Sequence, residues 1–295
     1  MFIIALRLGN PGLLDFYVPF LNDIGRSVRA SAEPSSSLTI FAHAHLGLSS
    51  YIRGSGDSSS SYHYPETSTV ALRAQIDAHL EFFDELLAAY GPATRVLLVG
   101  HSIGCWFIQE ILKARAALRP RVGTYMLFPT ISHIAGTPNG RKLSVRITYL
   151  PLLSFFRLTW GDVQSIFRPP WPRVLAYLSH LIPIPLCILS LLQPSWPRNQ
   201  LSVLYDFLRA PAAIYAALTM ANDEMETVRE LDADFLQEFA HNLWFYYAEE
   251  DGWVGEQRAV VVRALRGTPA ESHVVHGRAG IPHAFCISAA FFVFG

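Results

Sequence analysis

A serine between two glycines stands at positions 100–104, where the sequence reads G-H-S-I-G directly after the apolar run 96–99. Apolar residues at 103, 107, 108 and 111 then follow with helical spacing. A short strand, a glycine-bounded turn and a helix lift a serine hydroxyl above the edge of a sheet. The glycines are needed because a side chain there would clash with the neighbouring backbone. The pattern predicts Ser102 as a nucleophile, the alternative being a plain turn between a core strand and a core helix.

The base for this serine must be a histidine held by a carboxylate, since a serine hydroxyl alone is a poor nucleophile. In this strand–turn–helix setting the chain order is serine, acid, histidine. His283 is the favoured base, because it lies in a loop of glycine and proline after the last predicted strand. His273 and His276 lie on that strand and are weaker candidates. His101 precedes the serine and is expected to pack or to form hydrogen bonds.

The favoured acid is Asp251, which follows the apolar run 243–247 closely and so falls just past the carboxyl end of a strand. A carboxylate at that place can reach the histidine loop and fix the tautomer of the imidazole. Glu249 and Glu250 are one or two positions away, and one of them could be the acid instead. Asp followed by Gly also stabilises turns for purely structural reasons.

The oxyanion of such a reaction needs two backbone N–H groups. One is expected from Ile103, directly after the nucleophile. The other is expected from the turn after the first strand, where Asn10, Gly12 or Leu13 must donate because Pro11 has no N–H. A plain Asn-Pro-Gly turn without this role is the alternative.

Strand and helix patterns alternate around these residues. Short apolar runs predict strands at 2–6, 38–42, 95–99, 125–128, 243–247 and 273–276. An apolar face from Leu72 to Leu87 predicts a helix that ends near Gly91, and the Gly- and Ser-rich segment 53–68 predicts an exposed loop. The alternation predicts an α/β fold with a mostly parallel sheet and helices on both faces. The G-H-S-I-G elbow indicates that this fold is of the α/β-hydrolase type.

Residues 129–240 do not fit this alternation and are interpreted as a hydrophobic cap or membrane-association insert between two parts of the core, 1–128 and 241–295. Within it, 174–196 contains no Asp, Glu, Lys or Arg, and prolines interrupt it; 150–156 is largely apolar as well. A membrane span needs about 20 apolar residues, so length permits one. The prolines favour instead a bent hairpin in the interface. The alternative is a buried helix pair that covers an acyl pocket.

Composition narrows the class of protein. The chain of 295 residues has a formal net charge of −1, so it has no general basic surface for nucleic acid. Charged residues make up 16% and the mean hydropathy is +0.25, which indicates contact with lipid or an unusually apolar insert. Three distant cysteines indicate neither a disulfide framework nor a zinc site, and no cofactor or metal is expected. No signal peptide is evident, so the cytosolic side of the cell is expected.

Several blocks together resemble the lipid droplet-associated hydrolases. They occur in that family's order over nearly the whole chain: G-N-P-G-L-L-D-F-Y at 9–17, G-H-S-I-G at 100–104, L-F-P-T-I at 127–131, A-G-T-P-N-G at 135–140, D-G-W-V at 251–254 and H-A-F at 283–285. The resemblance implies an α/β-hydrolase on lipid droplets and the cytosolic face of the endoplasmic reticulum, with the hydrophobic insert as membrane anchor. It also implies esterase chemistry on neutral lipids, with sterol esters or acylglycerols as substrates.

The chain departs from the family pattern at both ends. It starts almost at the first block and stops soon after His283, so we expect short or absent upstream strands and a closing helix that is missing or replaced by the apolar tail 289–295. A truncated gene model would produce both. Two other functions stay open beside the lipid esterase: a droplet-surface structural protein with little turnover, and a soluble hydrolase of small esters or thioesters.

Overall fold

A parallel sheet organises the chain in the computed structural model, which describes residues 2–31, 37–48, 64–144, 166–182 and 184–287. The sheet has six strands in the order β2-β1-β3-β4-β5-β6. The strands are β1 Phe2–Arg7, β2 Leu38–His43, β3 Arg95–His101, β4 Val122–Leu127, β5 Leu243–Tyr247 and β6 Val274–His276. Every neighbouring pair is parallel, so the predicted α/β class with a mostly parallel sheet is confirmed.

The strand order reverses at β1. The chain passes outward from β1 to β2 on one side, then returns to β3 on the other side of β1. In open parallel sheets, such a reversal leaves a crevice at the carboxyl ends of the two central strands, and ligands bind there. The loops that follow β1 and β3 therefore meet at the place where a site is expected.

Helices cover both faces of the sheet. Side chains of β1 alternate, so that Ile3 and Ala5 pack with the helices of one face and Ile4 and Leu6 with α1 on the other. The α-helices are α1 Leu14–Ser31, α2 Thr67–Val70, α3 Leu72–Tyr90, α4 Ile103–Ala114, α5 Pro138–Ser144, α6 Trp171–Leu181, α7 Leu186–Leu192, α8 Arg198–Leu208, α9 Pro211–Thr227, α10 Ala233–Glu238 and α11 Gln257–Ala264. Short 3-10 helices cover Ala116–Arg121, Ile134–Gly136, Ala240–Asn242 and Pro269–His273.

Helices α5 to α10 lie between β4 and β5, and the described residues of 129–240 contain no strand. Helix α6 packs on α9 through Ala176, which is fully buried with Ile214 and Tyr215. Helices α6 and α7 bend by 117°, as the prolines predict. No single helix in the described part of the chain could cross a membrane, although this pair and the pair α8–α9, bent by 90°, would pass on length and composition.

The predicted element boundaries need three corrections. Strand β4 begins three residues before the predicted position and excludes Phe128, whose φ of 50° takes it out of the strand conformation. Residues 67 and 68 begin helix α2 instead of ending a loop, and 53–63 lie outside the described residues, as do 150–156 and the tail 289–295. His273 ends a 3-10 helix and not a strand, because Pro269 starts that turn.

Candidate active site

The turn between β3 and α4 places Ser102. Its φ of 54° and ψ of −122° lie in a region that residues with a side chain rarely adopt, as expected of a strained elbow. A Cβ on Gly100 would come within 2.8 Å of the Cys105 main chain, and a Cβ on Gly104 within 2.3 Å of the Arg7 carbonyl oxygen. Glycine is therefore required on both sides, because only its absent side chain lets the three backbones approach.

Three side chains from distant parts of the chain meet above this turn. His283 Nε2 lies 2.9 Å from Ser102 Oγ, and His283 Nδ1 lies 2.8 Å from Asp251 Oδ2. The carboxylate can only accept, so the ring carries its proton on Nδ1 and its Nε2 is the acceptor for the Ser102 hydroxyl. Only 13% of the His283 side chain and 6% of the Asp251 side chain are exposed. The geometry suits proton transfer from a serine to a histidine.

The Asp251 carboxylate is held in place from its other side. Its Oδ1 accepts hydrogen bonds from the main-chain N–H groups of Trp253 at 2.8 Å and Val254 at 3.1 Å. These bonds leave Oδ2 aimed at the imidazole. The alternative acids Glu249 and Glu250 are exposed. The structure thus brings Asp251, and neither glutamate, to the histidine.

The alternative bases lie away from the serine. His273 Nδ1 hydrogen-bonds the Leu243 carbonyl at 3.0 Å, and its ring stacks on Trp244. His276 is exposed at the end of β6, beside the ring of Tyr247. The preference for His283 over these two is consistent with the structure, because His283 alone of the three lies within hydrogen-bond distance of Ser102.

His101 ties the elbow to two loops. Its Nε2 lies 2.9 Å from the His283 carbonyl oxygen and its Nδ1 lies 2.6 Å from the Tyr17 hydroxyl, which also accepts the Gly9 N–H at 3.1 Å. Burial lowers the pKa of His101 to about 3, so its ring is neutral. A carbonyl only accepts, so Nε2 carries the proton, and the Tyr17 hydroxyl donates to Nδ1. A single placement of the protons therefore satisfies every hydrogen bond from the Gly9 N–H through Tyr17 and His101 to the His283 carbonyl.

The predicted oxyanion donors lie on both sides of the serine. Ile103 is fully buried at the first position of α4. Asn10, Gly12 and Leu13 belong to the loop between β1 and α1, here called the β1–α1 loop. This loop lies close to the elbow, because a Cβ added to Gly9 would lie 3.0 Å from the Ser102 Cβ. Among the described residues, no acceptor is recorded for the N–H groups of the four predicted donors.

Asn10 anchors the β1–α1 loop to the insert. Its side-chain Nδ2 donates to the Ala217 carbonyl at 3.0 Å and to Glu224 Oε1 at 2.7 Å, and both acceptors belong to α9. Burial, together with the charge of Asp223, raises the pKa of the Glu224 carboxyl to about 8. The carboxyl is therefore protonated at neutral pH and accepts through its carbonyl oxygen.

Sequence reasoning missed four polar groups of the site. Thr130 Oγ1 lies 3.4 Å from Ser102 Oγ, while Tyr17, Glu224 and the main chain of Trp253 act through other residues. The only signal for Thr130 and Tyr17 was their place in the blocks at 127–131 and 9–17. Nothing near Glu224 in the sequence indicates its role, because its partner lies far away in the chain.

A cavity of about 1090 Å³ lies between α1 and the carboxyl ends of β4–β6. Its walls include Phe128 and Phe285, whose rings also contact His283 and His101. Neither Ser102, nor Asp251, nor His283 lines it, so it is not assigned as the substrate pocket. In the described part of the chain, no group of three or more His, Cys, Asp or Glu side chains could hold a metal ion.

The sequence of this chain is similar to those of known proteins. A sequence model of the lipid-droplet associated hydrolases matches residues 1–286. The lipid droplet-associated hydrolase of Homo sapiens is 28% identical over 284 residues, 96% of this chain and 79% of that protein. That of Drosophila melanogaster is 27% identical over 254 residues, 85% of this chain and 74% of that protein.

Solved structures show the fold. A 2-hydroxy-6-oxo-6-phenylhexa-2,4-dienoate hydrolase from Rhodococcus sp. superposes with a TM-score of 0.55 at 13% identity, over 99% of this chain and 87% of that one. A peroxisomal α/β-hydrolase from Saccharomyces cerevisiae has a TM-score of 0.51 at 10% identity, over 99% and 72%. The fold is therefore that of the α/β-hydrolases. Together with the sequence match, this shows that the chain belongs to the lipid-droplet associated hydrolase family.

Proposed function

We propose that this hydrolase cleaves carboxylic esters of neutral lipids, either sterol esters or acylglycerols, through Ser102, His283 and Asp251. The observation that carries the proposal is the unbroken hydrogen-bonded series from the serine hydroxyl through the imidazole to the carboxylate, at 2.9 Å and 2.8 Å. A nucleophile, a base and a group that orients the base are the minimum for acyl transfer at a serine. The carboxylate is held by two N–H groups, so the base is fixed before substrate arrives.

Acylation begins when Ser102 Oγ attacks the ester carbonyl carbon and His283 Nε2 takes the hydroxyl proton. The imidazolium is stabilised by the Asp251 carboxylate on Nδ1. The negative oxygen of the tetrahedral intermediate accepts hydrogen bonds from the main-chain N–H groups of Ile103 and of the β1–α1 loop. When the intermediate collapses, the carbon–oxygen bond to the alcohol breaks and His283 returns the proton to the leaving oxygen. A water molecule, activated by the same imidazole, then attacks the acyl-serine and releases the acid.

The helices between β4 and β5 support attachment to a lipid surface, at the lipid droplet and the cytosolic face of the endoplasmic reticulum membrane. Ile182, directly after α6, and Leu191 and Leu192 on α7 are 65%, 79% and 65% exposed, while α6 packs on α9 through Ala176. A buried helix pair over an acyl pocket would not expose these side chains. Moving roughly 200 Å² of such surface into lipid contributes about 5 kcal/mol, at about 25 cal/mol per Å².

The test is a panel of esters measured on wild-type protein, Ser102→Ala and the control Ser202→Ala, with and without emulsified lipid. Ser202 is exposed and its hydroxyl donates to the Arg198 carbonyl of its own helix, so its loss should leave turnover unchanged. We expect wild type and the control to hydrolyse cholesteryl esters or acylglycerols in emulsion. The Ser102→Ala variant should hydrolyse neither.

Other outcomes favour the other candidates. A folded wild type that coats emulsion droplets but hydrolyses nothing would support a structural protein of the droplet surface. Hydrolysis confined to small soluble esters or thioesters, with no binding to emulsion, would support a soluble hydrolase.

A further inference from the structure

The contact between Asn10 and Glu224 joins the insert to the loop that is proposed to bind the oxyanion. Asn10 Nδ2 has two hydrogens, and both are used on α9, at 3.0 Å to the Ala217 carbonyl and at 2.7 Å to Glu224 Oε1. The side-chain amide of Asn10 therefore fixes the β1–α1 loop to α9. The free donors of this loop are its main-chain N–H groups.

We propose that Glu224 is a positioning residue: through Asn10 it holds the β1–α1 loop where its main-chain N–H groups meet the oxyanion. Helix α9 of the insert thereby sets the geometry of the oxyanion hole. This inference rests on the proposed function, because an acyl-transfer reaction is what requires that hole. Donors must lie within about 0.2 Å of their best distance to stabilise the transition state fully, so a small loop displacement changes turnover.

The same helix also supports the other oxyanion donor. Met220, one turn before Glu224 on α9, is fully buried in an apolar cluster with Ile103 and Phe107. Met220 and Glu224 are four residues apart and therefore lie on the same face of the helix. One helix face thus bonds the β1–α1 loop and lies in the same apolar cluster as Ile103, so it borders both segments from which the two N–H groups are expected.

The charges around Glu224 explain why it is suited to hold a neutral amide. Its carboxyl is buried, and the charged side chain that acts on it is Asp223, which accepts the Leu72 N–H at 3.2 Å. From the β1–α1 loop it faces the uncharged Asn10 amide. The side chains that α3, α4 and the 3-10 helix Ile134–Gly136 contribute to the cluster at this end of α9 are apolar: Leu72, Ile76, Ile103, Phe107 and Ile134. In the part of the chain that the structure describes, no cation is recorded beside the anion that loss of the proton would leave.

The experiment measures kcat and KM for p-nitrophenyl butyrate from pH 6 to 9.5 on wild type, Glu224→Gln, Glu224→Ala and the control Glu226→Gln. Glutamine keeps a carbonyl acceptor for Asn10 and cannot ionise. Glu226 is exposed on the same helix, paired with Arg168 at the surface. We expect Glu224→Ala to lower kcat about tenfold with KM within about twofold, as for the loss of one positioning hydrogen bond.

Rescue by the conservative variant separates positioning from a merely structural role. Both protonation states of Glu224 accept the Asn10 amide, and so does glutamine, so Glu224→Gln should keep the kcat of wild type and of Glu226→Gln across the pH range. The inference is overturned if Glu224→Gln loses about tenfold in kcat, or if a folded Glu224→Ala keeps the wild-type kcat. It falls together with the proposed function if wild type has no turnover that depends on Ser102.

Discussion

Replacing Tyr17 by phenylalanine removes one hydroxyl that joins three segments of the site. The hydroxyl donates to His101 Nδ1 at 2.6 Å and accepts the Gly9 N–H at 3.1 Å. Burial raises the pKa of Tyr17 well above its usual value, so the hydroxyl keeps its proton and remains a donor. The phenylalanine ring fills nearly the same space. The substitution therefore tests the hydrogen bonds with little change in packing.

Two buried polar groups lose their partner in Tyr17→Phe, the Gly9 N–H and His101 Nδ1. An unsatisfied buried group costs about 1–3 kcal/mol, so the loss of two partners should lower the free energy of unfolding by about 2–6 kcal/mol. His101 is then free to take the other tautomer, in which Nε2 no longer donates to the His283 carbonyl. Looser placement of the base should lower kcat about tenfold, which corresponds to about 1.4 kcal/mol in the barrier.

The assay combines urea unfolding, followed by circular dichroism, with ester hydrolysis at pH 7. Tyr205→Phe is the matched control: its hydroxyl accepts a surface hydrogen bond from Arg209 at 3.2 Å, and its loss should change stability by less than about 0.5 kcal/mol. The reasoning is refuted if Tyr17→Phe is as stable as this control and has wild-type kcat.

Three further predictions concern the acid, the buried glutamate and the lipid-facing helices. Asp251→Asn should lower kcat by up to about 10⁴-fold, because the asparagine favours the wrong tautomer of His283; this loss should be smaller than that of Ser102→Ala. If Glu249→Gln or Glu250→Gln lowers kcat more in steady-state kinetics, the acid is misassigned. Glu224 binds its proton more tightly folded (pKa about 8) than unfolded, so wild-type stability should decline by a few kcal/mol as pH rises from about 4.5 to 8, and Glu224→Gln should lack this slope in urea titrations. Changing Leu191 and Leu192 to serine should release the protein from emulsion droplets in a flotation assay, whereas Val260→Ser on α11 should not; retention of the double variant would place the anchor elsewhere.

The parts of the fold that could be predicted are those with a local cause. The β3 strand, the elbow and α4 follow from an aliphatic run, two glycines and helical spacing within about twenty residues. Chain order then selected Asp251 and His283, and the structure brings both to Ser102, although their catalytic roles remain predictions. The bent pair α6–α7 follows from prolines within an uncharged segment.

The remaining features depend on contacts between distant parts of the chain. The bond from Tyr17 to His101 spans 84 residues and that from Asn10 to Glu224 spans 214, so no local spacing predicts either. The early start of β4 was missed because Gly123 weakens the strand pattern, although its neighbours pair with β3. Phe128 is a residue type that favours strands, but its φ of 50° takes it out of the strand conformation after Leu127.

The central claim, that Ser102 is the activated nucleophile, is tested most directly by a fluorophosphonate probe followed by mass spectrometry of the labelled peptides. The probe forms a bond to a serine only where a base removes its proton and the oxyanion is stabilised. We expect one adduct on Ser102, stoichiometric in wild type and Ser202→Ala and strongly slowed in His283→Ala. A folded wild type that takes no label, or takes it at another serine, would contradict the account.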